Sequence, residues 1–193
     1  KPNGGIQQLD LGLVKNKKYV GYIYLKPQRQ HTNVSISLVW GDEPEQLESI
    51  QTLVVADIYN KFPFEFTAGA DADNARLEIT VAGEGTLKIG CVSLMPADNV
   101  KGMRADTLRL LKELDSPIYR WPGGNFVSGY DWKDGIGDRD RRPPRKNPAW
   151  KGIEHNDVGI HEYMALCGEI GAKPFIAVNT GLGGAEAVAM AIE

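Results

Sequence analysis

One short stretch of the chain, residues 119–130, carries the groups that could do chemistry. Its sequence is Tyr-Arg-Trp-Pro-Gly-Gly-Asn-Phe-Val-Ser-Gly-Tyr. The apolar run Pro117–Trp121 predicts a buried strand. Pro122 must end its pairing, and the two glycines that follow accept backbone angles that other residues resist. An amide, Asn125, and several aromatic rings come next, which is typical of α/β barrels that build sites where strands end. An ordinary exit from strand to loop explains the pattern equally well.

Carboxylates are plentiful after this stretch. Hydrolysis of a glycosidic bond needs two carboxyl groups about 5–10 Å apart. Six acidic residues are available: Asp131, Asp134, Asp138, Asp140, Glu154 and Glu162. None has a sequence context that marks it as an acid or a nucleophile, and Glu162 is expected to face water from a helix. We therefore assign no catalytic residue from the pattern.

Other chemistries have weaker support. His161-Glu162 begins a zinc-protease motif, but Ala165 stands where the second histidine is required. Residues 181–184, Gly-Leu-Gly-Gly, resemble a phosphate-binding turn but lack the dinucleotide pattern and a Walker lysine. Residues 138–146 hold five Arg and Lys with interleaved Asp. The alternating signs and prolines favour an internally paired loop over a nucleic-acid patch.

Composition narrows the class of protein. With 193 residues, 42% of them hydrophobic, and a net charge of −3, the chain is expected to form a packed soluble core. This charge gives no reason to expect nucleic acid or an anionic membrane as a partner, and no apolar run approaches the roughly 20 residues of a membrane span. Cys91 and Cys167 are expected to be buried thiols. The chain starts at Lys1 and ends at Glu193 inside a predicted helix, so we expect both ends to be cut.

The first half reads as an antiparallel β-sandwich. Short alternating runs separated by turn residues predict strands at 6–13, 19–25, 33–40, 50–55, 62–67, 75–81 and 86–94. Such sandwiches often bind sugars on aromatic rings, and the candidate rings are Tyr19, Tyr22, Tyr24, Trp40 and Tyr59. Most aromatics at these positions are expected to be core residues, so no site is assigned here.

The second half alternates helix and strand. Predicted helices cover 104–114, 157–170 and 185 onward, and predicted strands cover 117–121 and 174–179. Continuous apolar strands between helices imply a parallel sheet. Two such strands cannot cover themselves, so this half is expected to be part of something larger. Both strands lead into small and amide residues, which places both exits on one carboxyl-terminal face.

Several motifs together resemble the α-L-arabinofuranosidases of glycoside hydrolase family 51. They are Asp98–Arg104, Tyr119–Trp132, Asp134–Gly137, Ala149-Trp150, Glu154–Asn156 and Ala177–Gly181. The resemblance is dense over residues 92–193. The first half is more loosely similar to a carbohydrate-binding-module-like domain that some members insert near their start. The implied fold is multidomain, with a jelly-roll-like antiparallel β-sandwich over 1–97. Part of a (β/α)8 TIM barrel, its second and third strands with their helices, follows over 98–193.

The resemblance implies an enzyme that removes terminal α-L-arabinofuranosyl groups from arabinan, arabinoxylan and related polymers. The reaction retains anomeric configuration through a covalent intermediate, with two glutamates and no metal or other cofactor. The implied partner is an arabinose-containing oligo- or polysaccharide, with no nucleic acid and no membrane. The family often forms oligomers. The compartment stays open between secreted or periplasmic and cytoplasmic.

The resemblance also carries over individual site residues. Arg120 would lie at the floor of the arabinose pocket and hold a carboxylate by its fork geometry. Gly123 and Gly124 would let the backbone approach the sugar. Asn125 would contact a sugar hydroxyl, although other members carry a different residue there. Trp150 would stack at the pocket rim.

The resemblance places both catalytic glutamates outside this chain. By the resemblance, the acid/base glutamate and the nucleophile lie beyond Glu193, and a sugar-binding glutamate of the first barrel strand precedes Lys1. We therefore expect the isolated 193 residues to be inactive as a hydrolase. The alternative is a non-catalytic carbohydrate-binding protein in which the sandwich binds sugar.

Overall fold

The fold is mostly antiparallel β-sheet with few helices, as the sequence predicts. It comes from a computed structural model that describes residues 4–27, 32–55, 58–82, 86–147, 149–180 and 182. The chain divides into two compact units, Lys1–Asn99 and Val100–Glu193.

Seven strands build the first unit. They are β1 Gly4–Leu13, β2 Lys18–Pro27, β3 Thr32–Val39, β4 Leu47–Val54, β5 Asn60–Thr67, β6 Ala72–Val81 and β7 Leu87–Pro96. One sheet has the order β1-β6-β3-β4 and the other β5-β2-β7, and every pairing is antiparallel. The predicted strands are confirmed, with ends shifted by three residues or fewer.

Alternate residues of these strands form the core. Ile23, Leu25, Ile36 and Phe66 are completely buried, as period-2 strands with one buried face require. Only two of the five candidate rings are core residues, so the expectation that most of them would be is wrong. The Tyr19 ring is buried and its hydroxyl accepts a hydrogen bond from the Val14 amide at 2.9 Å. Trp40 packs against the buried cluster.

The second unit contains a parallel strand pair. Its main elements are α1 Ala105–Leu114, β8 Ile118–Trp121, β9 Arg145–Lys146, β10 Ile153–Glu154, α2 Ile160–Ile170 and β11 Lys173–Ile176. Strands β8 and β11 are parallel, with Phe175 opposite Arg120 and Ile176 opposite Trp121. The predicted parallel pairing is therefore confirmed.

Two predicted boundaries in this unit are shifted by three residues. Helix α2 begins at Ile160 rather than 157, because the Gly159 amide donates to Glu162 Oε2 at 2.8 Å and caps the helix there. Strand β11 ends at Ile176 rather than 179, because Asn179 forms a turn in which its Oδ1 accepts from the Leu182 amide at 3.1 Å. The helix predicted from 185 onward lies outside the described residues.

One face of the parallel pair carries apolar side chains that remain open. Ile118 and Phe175 are 53% and 56% exposed, and both lie on the face that also carries Arg120. Parallel sheets normally have both faces covered. This face is therefore suited to packing against further structure.

Candidate functional site

A cavity of about 440 Å³ lies at the carboxyl ends of the two parallel strands. Trp121 and Pro122 at the end of β8 form one wall, and Ile176 at the end of β11 forms another with residues 177–179. The loop from Val127 to Lys133 closes it from the side, with Ile160 at the start of α2. The lining is mostly apolar, with a few polar groups at its edge, as is usual for small-molecule sites.

The long connection between β8 and α2 is ordered by its own side chains. It contains three 3-10 turns, Gly124–Gly129, Trp132–Gly135 and Arg139–Arg141, and the short hairpin β9–β10. Asp131 and Asp138 cap two of the turns, accepting from the amides of Lys133 and Asp140 at 3.0 and 3.1 Å. Arg145 binds both oxygens of Asp134, at 2.7 and 2.9 Å. The prediction of an internally paired loop is confirmed.

The Arg142 guanidinium is the centre of this loop. Its side chain is only 2% exposed. It donates to the carbonyl oxygens of Gly137 at 2.9 Å and Asn156 at 2.8 Å. It also forms a fork with both oxygens of Glu162, at 2.8 and 3.0 Å. One buried cation therefore joins the middle of the connection, its end and the helix that follows it.

Glu162 is committed to this structural pair. Burial by itself raises the pKa of its carboxyl, but hydrogen bonds from Arg142 and from the Gly159 amide outweigh burial and lower the pKa to about 2. The expectation that Glu162 faces water is wrong, because the connection folds back over the first turn of α2. A carboxyl ionised this firmly cannot act as a general acid near neutral pH.

Aromatic rings fix the end of β8. Trp121 stacks on Tyr163 at 5.5 Å between ring centroids and meets Tyr130 edge-on at 5.6 Å. The Tyr163 hydroxyl accepts from the Phe175 amide at 2.8 Å and donates to the Tyr119 carbonyl at 2.5 Å. This buried tyrosine thus links α2 to both parallel strands beneath the cavity.

Tyr130 separates the cavity from a second hollow of about 360 Å³ that Asp134 and Glu154 help to line. Its hydroxyl is buried and finds no hydrogen-bond partner among the described residues. Burial, together with the nearby Glu154 carboxylate, raises the pKa of Tyr130 to about 12. The hydroxyl therefore remains protonated and available to donate a hydrogen bond.

The predicted site residues fall into two places. Arg120 is exposed on the face of β8 opposite Trp121, and its Nη2 lies 3.4 Å from where a Cβ at Gly123 would stand. Gly124 has φ +61°, which glycine adopts without strain. Asn125 is exposed in the first 3-10 turn. Trp150 is 68% exposed near the β9–β10 hairpin. The structure thus brings Arg120 and Gly123 together.

None of these residues is among those that line the cavity. The cavity lies on the Trp121 side of β8, whereas Arg120 points to the bare face that carries Ile118 and Phe175. A sugar pocket built on Arg120 would therefore need walls from outside the described residues.

Sequence reasoning missed the residues that hold the site in shape. In the sequence, Arg142 is one of several charged residues in a loop, and Tyr163 is one of several apolar residues on one side of a helix. The spacing of Gly159 and Glu162, three residues apart at a helix start, was the available signal for the capping carboxylate. Asn179 was seen only as a polar residue at a strand end, yet its Nδ2 donates to the Ser128 carbonyl at 2.9 Å and ties the two exits together.

The described residues show no group of three His, Cys, Asp or Glu side chains placed to hold a metal ion. Within the same described part of the chain, no helix has the length and apolarity needed to cross a membrane. Cys167 is buried, as expected, whereas Cys91, which was also expected to be buried, is half-buried.

Residues 110–192 match the sequence model of a family described as Alpha-L-arabinofuranosidase 1 domain. The resemblance to the family 51 α-L-arabinofuranosidases is confirmed for this part of the chain. An intracellular exo-α-L-arabinofuranosidase of Bacteroides ovatus is 43% identical over 110 residues, which are 56% of this chain and 21% of that protein. An intracellular exo-α-(1→5)-L-arabinofuranosidase of Acetivibrio thermocellus is 51% identical over 83 residues, 43% of this chain and 16% of that protein.

A solved structure extends the likeness to both units at the level of fold. The arabinose-bound structure of a family 51 α-L-arabinofuranosidase superposes with a TM-score of 0.83, covering 99% of this chain and 35% of that one, at 20% identity. This identity supports a shared fold only. The chain spans about a fifth of the length of the curated α-L-arabinofuranosidases that it matches.

Proposed function

We propose that the chain is a segment of a retaining glycoside hydrolase. The whole protein would release terminal α-L-arabinofuranosyl residues from arabinan- or arabinoxylan-type polysaccharides. The observation that carries this proposal is the match of residues 110–192 to the α-L-arabinofuranosidase family. That range holds both parallel strands and the connection that surrounds their carboxyl ends.

In this proposal residues 98–193 form the second and third strands of a (β/α)8 barrel, and residues 1–97 form a carbohydrate-binding-module-like sandwich. The exposed apolar face of β8 and β11 supports the barrel, because Ile118 and Phe175 would be buried by the strands of a closed barrel. Arg120 shares that face and would lie inside the barrel, near the carboxyl ends where barrel sites form.

The proposed sugar contacts follow from these positions. Arg120 would hold a carboxylate at the pocket floor. Gly123 stands beside the Arg120 guanidinium with room for a close approach of the sugar, and Gly124 supplies the turn. Asn125 and Trp150 are exposed and would provide a hydroxyl contact and a stacking ring. The partner would be an arabinose-containing oligo- or polysaccharide.

The isolated 193-residue chain is proposed to lack hydrolase activity. Five of the six candidate carboxylates bind neighbouring groups of the fold. Glu162 pairs with Arg142 and Asp134 with Arg145, whereas Asp131 and Asp138 cap turns. Glu154 accepts from the Asn156 amide at 3.2 Å. The acid/base and nucleophile glutamates would come from other parts of the protein.

The residue assignments are tested in the longest natural polypeptide that contains these residues, with p-nitrophenyl α-L-arabinofuranoside as substrate. Arg120→Gln is expected to lower kcat/KM by at least about a hundredfold, since it would remove the charge that is proposed to hold a carboxylate at the pocket floor. The matched control is Arg141→Gln, because the Arg141 side chain is 87% exposed. Equal kinetics for Arg120→Gln and the control would refute the assignment of Arg120.

A further inference from the structure

Asn179 lies just beyond the last residues of the parallel pair β8–β11. The Ala177 amide donates to the Trp121 carbonyl at 2.9 Å, and after Trp121 the chain leaves the pair and enters the long connection. Two residues beyond Ala177, the Asn179 side chain makes a further link, because its Nδ2 donates to the Ser128 carbonyl at 2.9 Å. Ser128 belongs to the 3-10 turn Gly124–Gly129. A side chain at the exit of β11 therefore holds the turn that follows β8.

The two contacts of Asn179 match the two ends of an amide. Its Oδ1 accepts from the Leu182 amide at 3.1 Å, whereas its Nδ2 donates to a carbonyl oxygen. One end must accept and the other must donate, which the asparagine amide does. An ionised aspartate has nearly the same shape but only accepts, so it would keep the contact with Leu182 and lose the contact with Ser128. A single substitution can therefore separate the two bonds.

The turn Gly124–Gly129 depends on contacts from outside itself. None of its six residues is buried, and Gly123, which precedes it, has no side chain to cap it. The hydrogen bonds of a 3-10 helix have poor geometry, and glycine at both ends adds backbone freedom. Segments with few buried contacts open at low free energy. The position of this turn is therefore set by the groups that hold it.

Two kinds of contact hold the turn. On one side Phe126 packs on Tyr130 at 4.8 Å between ring centroids, and Tyr130 meets Trp121 edge-on at 5.6 Å. The other contact is the hydrogen bond from Asn179 to the Ser128 carbonyl. Ring packing tolerates a range of angles, whereas a hydrogen bond weakens steeply as its angle departs from linear. The Asn179 bond is therefore the contact that fixes the direction of the turn.

Asn125 lies three residues before Ser128 in this turn. A 3-10 helix has three residues per turn, so side chains three apart lie one above the other. A constraint on Ser128 therefore also limits how the turn can rotate at Asn125. Asn125 is exposed and comes two residues after Gly123, which stands beside the Arg120 guanidinium.

We propose that Asn179 is a positioning residue for the arabinose site: by holding Ser128, it fixes the turn that carries Asn125. This role rests on the proposed function, in which Asn125 contacts a sugar hydroxyl. That contact is itself a hydrogen bond and depends on angle, so a turn that rotates loses it. Asn179 acts through Asn125 and does not touch the sugar.

The test uses the longest natural polypeptide that contains these residues, with p-nitrophenyl α-L-arabinofuranoside as substrate. Asn179→Asp is expected to lower kcat/KM about fivefold to tenfold, the usual scale of one lost hydrogen bond. Thr180→Asp is the matched control, because it places the same charge on the exposed neighbouring residue and keeps both bonds of Asn179. Since salt screens exposed charges, the control is expected to change kcat/KM by no more than about twofold.

A double-mutant cycle separates positioning from a general structural role. Asn125→Ala removes the proposed hydroxyl contact. In that background Asn179→Asp is expected to change kcat/KM by less than about twofold, because it has no contact left to misplace. Asn179→Asp alone should also divide its loss between kcat and KM in the same way as Asn125→Ala. A residue that only stabilises the fold would give the same loss in both backgrounds.

Hydrogen exchange of the same polypeptide gives a measurement that does not depend on activity. The amides of residues 124–130 are expected to exchange about fivefold faster in Asn179→Asp, whereas those of α1 are expected to be unchanged. Thr180→Asp should leave both segments as they are.

Three results would each overturn the inference. They are unaltered exchange in residues 124–130, kinetics of Asn179→Asp equal to those of Thr180→Asp, and an undiminished loss in the Asn125→Ala background. A natural polypeptide without arabinofuranosidase activity would refute the proposed function instead. Hydrogen exchange would then still decide whether Asn179 holds the turn.

Discussion

Removal of the Arg142 guanidinium should destabilise the second unit more than any exposed charge change nearby. Arg142→Met leaves the Glu162 carboxylate, whose side chain is 19% exposed, without its main partner. It also leaves the Gly137 and Asn156 carbonyls without a donor. Loss of one partner of a buried ion pair costs about 3–5 kcal/mol, and we expect a loss in that range at pH 7.

The pKa of Glu162 gives a second measure of the same interaction. A fall from the ordinary value of 4.5 to about 2 corresponds to about 3 kcal/mol, since one pKa unit is about 1.4 kcal/mol. Because the folded-state pKa is lowered, this stabilisation is present above pH 4.5. It is lost as the pH falls from 4.5 toward 2. Glu162→Gln should therefore flatten the dependence of unfolding free energy on pH over that window.

The assay is urea unfolding of the full chain followed by tryptophan fluorescence at pH 7 and pH 3. Three of the four tryptophans, Trp121, Trp132 and Trp150, lie in the second unit, so the signal reports chiefly on it. Arg141→Met is the control and should change stability by no more than about 0.5 kcal/mol, because its side chain is exposed. An Arg142→Met variant that loses less than about 1 kcal/mol would refute the reasoning, as would an unchanged pH dependence in Glu162→Gln.

Three other substitutions test local packing by the same unfolding measurement. Gly159→Ala should cost about 1–3 kcal/mol, because its Cβ would collide with the Gly135 carbonyl. Gly168 lies inside α2 with no atom near the position of an added Cβ, so Gly168→Ala should stabilise the chain by about 0.5–1 kcal/mol. The same change in unfolding free energy for both glycine variants would contradict this expectation. Tyr163→Phe should cost about 0.5–1.5 kcal/mol, since two partly buried backbone groups lose a hydrogen-bond partner; a neutral change would contradict this role of the hydroxyl. In the folded chain the pKa of Tyr130 is raised from 10 to about 12, so the stability that its neutral hydroxyl contributes is lost as the pH rises from 10 to 12. Tyr130→Phe should therefore make the unfolding free energy less dependent on pH in that range. An unaltered pH profile would contradict this assignment.

Periodicity was sufficient to predict the sandwich. Strands such as β3 bury every second residue and turn residues separate them, so the pattern alone identifies both the strand and its buried face. The parallel pair was also predictable, because continuous apolar runs between helices leave few other arrangements. What the sequence could not give was the end of β11, which depends on a side-chain turn at Asn179.

The organisation of the long connection was predictable only in outline. Alternating charges indicated internal pairing, but the local sequence did not distinguish Arg142 from Arg141. The Arg142 side chain is 2% exposed, whereas that of Arg141 is 87% exposed. Burial of Arg142 depends on carbonyl groups that come together only when residues 137 and 156 meet. The positions of Arg120 and Trp121 on opposite faces of β8 are predictable from sequence, because successive side chains of a strand point to opposite faces.

The most direct test of the central claim is the release of L-arabinose from debranched arabinan. The longest natural polypeptide that contains these residues is compared with the isolated 193-residue chain. We predict release with retained anomeric configuration by the natural polypeptide and none by the isolated chain. Binding of arabinan by the natural polypeptide without any release, or turnover by the isolated chain free of contaminating enzyme, would contradict the proposal.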